Sequence, residues 1–326
     1  MHREPHTAWS SDAAEPVGVL GATSFVGQSV LSRLQAAHLR DADQAVANRP
    51  VFAFSRSDVA MAAANASEGV HWHRLPAGPE IDTEPLLPSP IPRWIAVCPI
   101  WAVAAQLPLV AAAGAKRIVV LSSTSRLTKR DSAAAEERAL AARLAAAEQD
   151  LLDQARDLRI SATILRPTMI YDGIHDRNVM AIADFIRRYG FFPVAGAAAG
   201  LRQPVHADDV AAAAVAALAR DGLCDTYTLS GGETLTYRDM VRRIFAWLGQ
   251  PLRLATVPIW LVRAAGPLVG RLPGLGRLAA MANRMNEDHI FDHGAATRDI
   301  GFQPRAFSLP LRGSSNHHAA SFLHKP

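Results

Sequence analysis

Lysine is nearly missing from this 326-residue chain: Lys116, Lys129 and Lys325 are the only ones among 34 basic residues. The formal charge of +4 and the pI of about 9.4 therefore rest on arginine. The arginines are scattered rather than clustered with aromatics, and a nucleic-acid footprint needs a concentrated basic face. That partner class is excluded. Cysteine is as scarce: Cys98 and Cys224 cannot build a disulfide framework, and no Cys/His set has zinc spacing. No metal is expected, and a reducing cytoplasm fits. Met1 to Glu15 is polar and reads as a tail without an apolar signal core. Long uncharged apolar runs are lacking too. Ile259 to Ala280 comes nearest but carries Arg263, Arg271 and Arg277 with several Gly/Pro breaks, so no integral membrane segment is expected. That stretch reads as a lobe helix, with a place on a membrane surface or a partner as the other option.

What remains is ordinary for a globular protein, with 49% hydrophobic and 20% charged residues and only 6% aromatic. Short apolar runs alternate with helical periodicity through the first half of the chain. Val17–Leu20, Val51–Phe54, Val70–Leu75, Trp94–Val97, Arg117–Leu121 and Ile160–Leu165 read as strands. Helices are expected around Val103–Ala113 and from a cap at Asp131 or Ser132 to about Leu158. Such alternation predicts an α/β protein, a doubly wound parallel sheet with helices on both faces. After Tyr171 the pattern loosens, with helices expected at Val179–Tyr189, Asp209–Ala219 and Thr236–Leu248. The expected organisation is a disordered tail over 1–15, a sheet domain over 16–230 to which 172–202 add lobe structure, a smaller C-terminal lobe over 231–312, and a second tail over 313–326.

The first strand runs into Gly21-Ala22-Thr23-Ser24-Phe25-Val26-Gly27 and then a helix. A tight strand-to-helix turn of this kind brings backbone amides and the positive helix end onto a pyrophosphate. Gly21 permits the turn and Gly27 permits close packing of helix on strand. Gly21, Thr23, Ser24, Phe25, Val26 and Gly27 are therefore candidate cofactor ligands in a Rossmann-type domain. The second strand ends Phe54-Ser55-Arg56, where NAD sites usually carry an acidic residue for the ribose 2′-hydroxyl. Asp58 comes two residues too late. Ser55 and Arg56 suit a 2′-phosphate, so NADP is expected, with NAD as the alternative.

With these residues the chain resembles the extended short-chain dehydrogenase/reductase superfamily, the NAD-dependent epimerase/dehydratase group, from about Val17 to Phe307. Its further marks are Val120-Leu121-Ser122-Ser123-Thr124, Leu165-Arg166-Pro167-Thr168-Met169-Ile170-Tyr171, Pro204-Val205-His206-Ala207-Asp208-Asp209-Val210 and Tyr227-Thr228-Leu229-Ser230-Gly231-Gly232. Ser24 departs from the family's middle glycine, and its hydroxyl could donate to a phosphate. The family's Tyr-x-x-x-Lys acid/base motif occurs nowhere: Ala112, Ser125 and Ser321 stand four before the lysines. Matching the helix through Ala147-Glu148-Gln149 puts Leu140 and Leu144 at the Tyr and Lys positions, on one apolar stripe with Ala147 and Leu151.

The resemblance implies Pro167 beside the nicotinamide, and it makes Thr124 and Tyr171 the replacement acid/base candidates, with Lys129 a weaker third. It implies Arg202 as a contact for an anionic substrate group. His71 and His73 share a strand face but lack a third ligand, so a surface strand is the better reading. Asp209 beside His206 and Asp208 reads as a helix-start carboxylate rather than half of a catalytic dyad. The arginine pairs at 187–188 and 242–243 read as solvated helix faces. Two functions stay open. One is an NADP(H)-dependent oxidoreductase or epimerase on a nucleotide-sugar-like small molecule; the other is a non-catalytic NADP(H)-binding subunit, sensor or assembly factor with a protein partner.

Overall fold

In a computed structural model of the chain, the described residues are 15–40, 50–56, 69–75, 90–223, 225–258, 260 and 282–310. They divide into two compact units. The first gathers Met1–Thr168, Ala207–Ser230 and Phe291–Pro304; the second gathers Met169–His206, Gly231–Ile290 and Arg305–Pro326.

The first unit is built on a seven-stranded sheet in the order β11-β6-β5-β4-β1-β2-β3. The strands are β1 (Val17–Leu20), β2 (Val51–Ser55), β3 (Val70–Arg74), β4 (Arg93–Ala96), β5 (Arg117–Leu121), β6 (Ser161–Pro167) and β11 (Thr226–Leu229). Every pairing is parallel; Val17 stands opposite both Val51 and Arg93. The runs are continuous rather than alternating because both faces are covered, and β1, β2, β4 and β5 are buried along their whole length. The Phe25–Arg40 helix packs against the Ala207–Ala219 helix, and the Ile100–Ala112 helix against the Ala135–Asp157 helix, which makes two separate layers. The chain leaves β1 for β2 and β3 on one side and for β4, β5 and β6 on the other. The switch point of this doubly wound sheet therefore lies between β1 and β4.

Two buried arginines seat the Ala207–Ala219 helix. Arg93 donates to the Leu218 carbonyl at 2.9 Å and Arg117 to that of Arg220. Both are carbonyls at or just past the helix's C-terminal end, which is where a helix has unmet acceptors and favours a cation. Arg93 also pairs with Glu15 at 2.9 Å, which ties to the sheet the one described residue of the stretch 1–15. The long helix starts later than its expected cap: it begins at Ala135, while Ser132 accepts from the Ala134 amide in the preceding turn.

Phe291–Pro304 lies in the first unit, although the lobe was expected to run through 231–312. Its Gly294–Ile300 helix packs on β11, where Asp299 accepts from the Tyr227 hydroxyl at 3.1 Å. Burial and that carboxylate push Tyr227 up to about 12.

The second unit packs the Val179–Tyr189 and Tyr237–Leu248 helices around Ile182, Ile186, Val241, Ile244 and Phe245. Asp176 caps the first of these, accepting from the Val179 amide at 2.6 Å. Thr236 caps the second by accepting from Asp239, and Gly249 ends it in the left-handed region at φ 66°. Three two-stranded pairings complete the unit: β7 (Ile170–Tyr171) with β10 (Val205–His206), β9 (Leu201–Arg202) with β12 (Leu235–Thr236), and β8 (Phe192–Ala195) with β13 (Leu254–Val257). Among the described residues no helix is long and apolar enough to cross a membrane. Apart from Trp260, the stretch Ile259–Ala280 lies outside the described residues, as do Met1–Ala14 and the tail 313–326.

Candidate functional site: the carboxyl edge of the parallel sheet

The turn after β1 has the geometry its sequence predicts. Gly21 sits at φ +77°, and a Cβ there would stand 2.7 Å from the Cys98 amide. A Cβ on Gly27 would stand 2.4 Å from the Gly21 carbonyl and 2.7 Å from that of Ala22. Only glycine lets the helix approach the strand this closely.

Ser24 is the N-cap of the Phe25–Arg40 helix. Its hydroxyl donates to the Gly21 carbonyl at 2.9 Å and accepts from the Gly27 amide at 3.0 Å. The one hydroxyl proton is therefore committed within the loop, where the sequence suggested it could serve a phosphate. A second latch runs from the Gln28 side chain to the Ala22 carbonyl at 2.8 Å. Thr23 is exposed and its hydroxyl lies 3.3 Å from that of buried Ser55, which ties the turn to the end of β2. Arg56 follows and is exposed. Its charge reaches Cys98, the residue behind Gly21, without offsetting the burial that pushes that thiol up to about 11. The thiol stays protonated and inert at neutral pH.

At the other half of the edge, Thr124 is buried at the end of β5. Its amide and hydroxyl both donate to the Pro167 carbonyl, at 3.1 and 3.2 Å. The strand ends of β5 and β6 are held together there. Sequence reasoning missed the charged group beside them. Glu148, only 2% exposed, accepts from Ser122 at 2.5 Å, from Arg166 at 2.5 and 3.0 Å, and from Arg126. Burial alone would raise its pKa; the hydrogen bonds from Arg166 and Ser122 and the charges of both arginines bring it below the usual value instead. Its signal was present: Glu148 falls four residues after Leu144 on the apolar stripe, a position where a lone carboxylate needs partners. Leu144 is buried in the sheet's core and Leu140 packs half-buried against it. That helix face is apolar, as the pattern predicted.

The remaining candidates are committed to structure. Lys129 pairs with Glu137 at 3.8 Å. His71 and His73 stack on Phe52 and Phe54, and no metal-binding group of three occurs among the described residues. Asp208 takes both arms of Arg33 at 2.7 Å, and Asp209 is buried in the first turn of its helix. In the second unit Tyr171 is fully buried, edge-on to His206 and Phe307, and its hydroxyl accepts from the Ser308 amide at 3.1 Å. Arg202 is buried as well: it donates to the carbonyls of Leu201 at 2.7 Å, Glu287 at 2.6 Å and Arg284, with the Tyr237 ring beside it. Its guanidinium serves three backbone acceptors.

No protein-family model matches the chain. It is 35% identical over 136 residues to the Arabidopsis thaliana protein NADH dehydrogenase [ubiquinone] 1 alpha subcomplex subunit 9, mitochondrial, covering 40% of this chain and 32% of that one. The match thus spans about a third of the length of the curated relatives it resembles. Solved structures align over far more. The dTDP-glucose 4,6-dehydratase of Streptomyces venezuelae, solved with NAD bound, superposes with a TM-score of 0.65 at 16% identity, covering 90% of this chain and 92% of that one. The UDP-glucuronic acid 4-epimerase of Bacillus cereus, in complex with NAD, gives 0.62 at 13% identity over the same shares. The chain shares their fold, a Rossmann-like α/β architecture. Within that fold the Gly21–Gly27 turn, Arg56 and the Thr124–Pro167 junction all lie in the sheet unit.

Proposed function

We propose that this chain is an extended short-chain dehydrogenase/reductase relative that keeps the dinucleotide site and has given up the chemistry: a non-catalytic NADP(H)-holding subunit or assembly factor. The observation that carries the reading is the helix face at Leu140 and Leu144, apolar and packed where the acid/base pair would stand. Among the described residues the candidates named above offer no replacement. Thr124 has committed its proton to Pro167, Tyr171 has no exposed surface, and Arg202 is consumed by carbonyls. The plant relative is by name a subunit of a larger enzyme, which supports the same view. A cytoplasmic compartment suits the free Cys98 thiol.

On this reading the amides of Phe25 and Val26 meet a diphosphate at the positive helix end, and Ser55 with Arg56 meets a 2′-phosphate. Titration of the purified chain is expected to give NADPH about tenfold tighter than NADH, and Arg56→Ala to erase the difference, a charge-assisted contact being worth about 1.5 kcal/mol. Tighter NADH binding would overturn the assignment. Hydride transfer to or from any nucleotide sugar by the same preparation would overturn the non-catalytic part and favour an oxidoreductase or epimerase.

Ser24 gives an independent check. Replacing it with glycine frees the Gly27 amide and removes an oxygen whose proton points away from the phosphate. Ser24→Gly is expected to tighten NADPH by about threefold to tenfold at a cap cost of only a few tenths of a kcal/mol. Weaker binding by the variant would mean that the hydroxyl turns to serve the phosphate.

A further inference from the structure

The charges at the end of β5 do not balance. One buried carboxylate, Glu148, faces two guanidiniums, Arg126 and Arg166. Ser122 donates to the same carboxylate and adds no charge. Around them Lys129 pairs with Glu137, and Arg130 with Asp131, so those neighbours cancel. The cluster keeps one positive charge in excess. Its outward member is Arg126, 32% exposed on its side chain against 19% for Arg166.

Arg126 stands two residues after Thr124, in the Ser125–Thr128 turn that follows β5. In a doubly wound sheet the first mononucleotide half belongs to β1–β3 and the second to β4–β6, across the switch point. The glycine turn fixes the adenosine end at β1, so the nicotinamide end falls on the half that carries Arg126. The two redox states of that ring differ by one charge: the oxidised pyridinium is a cation and the reduced dihydropyridine is neutral.

Resting on the dinucleotide reading above, we propose that Arg126, held by Glu148, makes the site selective for the reduced cofactor, so that the chain retains NADPH and discriminates against NADP⁺. At an effective dielectric near 20, a unit charge within roughly 10 Å of the ring would be worth about one order of magnitude in affinity. No electron transfer is involved; the selectivity is a difference in binding.

The test is paired titration of the full-length chain with NADPH and NADP⁺. The wild type is expected to favour NADPH about tenfold. Arg126→Gln is expected to bring the two within about twofold by tightening NADP⁺, and Arg126→Lys, which keeps the charge, to preserve the preference. Arg166 still pairs with Glu148 in both variants, and an unchanged thermal melt verifies that the fold is kept. Equal affinities in the wild type, or an undiminished preference in Arg126→Gln, would overturn the proposal. Binding of neither dinucleotide would overturn it together with the reading beneath it, an outcome that these titrations separate from loss of selectivity alone.

Discussion

Replacing Glu148 with alanine is expected to cost about 3 kcal/mol of folding stability, read as a shift in the urea unfolding midpoint at neutral pH. The carboxylate is 2% exposed and accepts from three side chains. Its loss leaves the Arg166 guanidinium, 19% exposed, without its counter-ion, which places the cost at the low end for a broken buried pair; Arg126, a third exposed, can turn to water. The pH dependence follows from the sign of the shift. Glu148 titrates lower in the folded protein than in the unfolded chain, so its contribution is complete above the unfolded value of about 4.3. It is lost as the pH falls through the lower, folded value. The wild type should therefore lose stability on acidification below pH 4 more steeply than Glu148→Ala. A variant within 1 kcal/mol of wild type would show that the arginines do not need this carboxylate.

The second large effect is expected at Gly27. Gly27→Ala drives a Cβ to 2.4 Å from one backbone oxygen and 2.7 Å from another, and neither can swing aside as a side chain would. Helix and turn must separate, at a cost of about 1–3 kcal/mol in stability. The dinucleotide suffers more, because the amides that would hold a diphosphate move with the helix. An affinity loss of at least about 100-fold for NADPH is expected by calorimetric titration. Retention of wild-type affinity would mean that the diphosphate is held elsewhere.

Why these groups differ in legibility is a matter of range. β1, β2, β4 and β5 were readable because burial on both faces writes an unbroken apolar run into four or five residues. The Tyr237–Leu248 helix was readable because its cap, its stripe and its terminal glycine all lie within one short stretch. The glycine turn was readable because its steric demands are local. Arg202 was not. Its sequence neighbours say only that a cation precedes a short strand; the Glu287 and Arg284 carbonyls that absorb it arrive 85 and 82 residues later. Tyr171 read as an acid/base candidate for the same reason, since Ser308 and Phe307 cover it from the far end of the chain. Ser24 was located correctly, but the direction of its proton depends on the Gly21 carbonyl, which three-dimensional geometry alone reveals. The return of Phe291–Pro304 to the sheet unit has no periodic signature, because a seven-residue helix carries too few turns to declare its partner.

The most direct measurement is stoichiometric: equilibrate the purified chain with NADPH, remove free ligand, and quantify the dinucleotide and its redox state after incubation with a panel of nucleotide sugars. One NADPH per chain, still reduced, is the predicted result. A chain that retains no dinucleotide at saturating concentration, or one that returns NADP⁺ with a reduced sugar, would contradict the account.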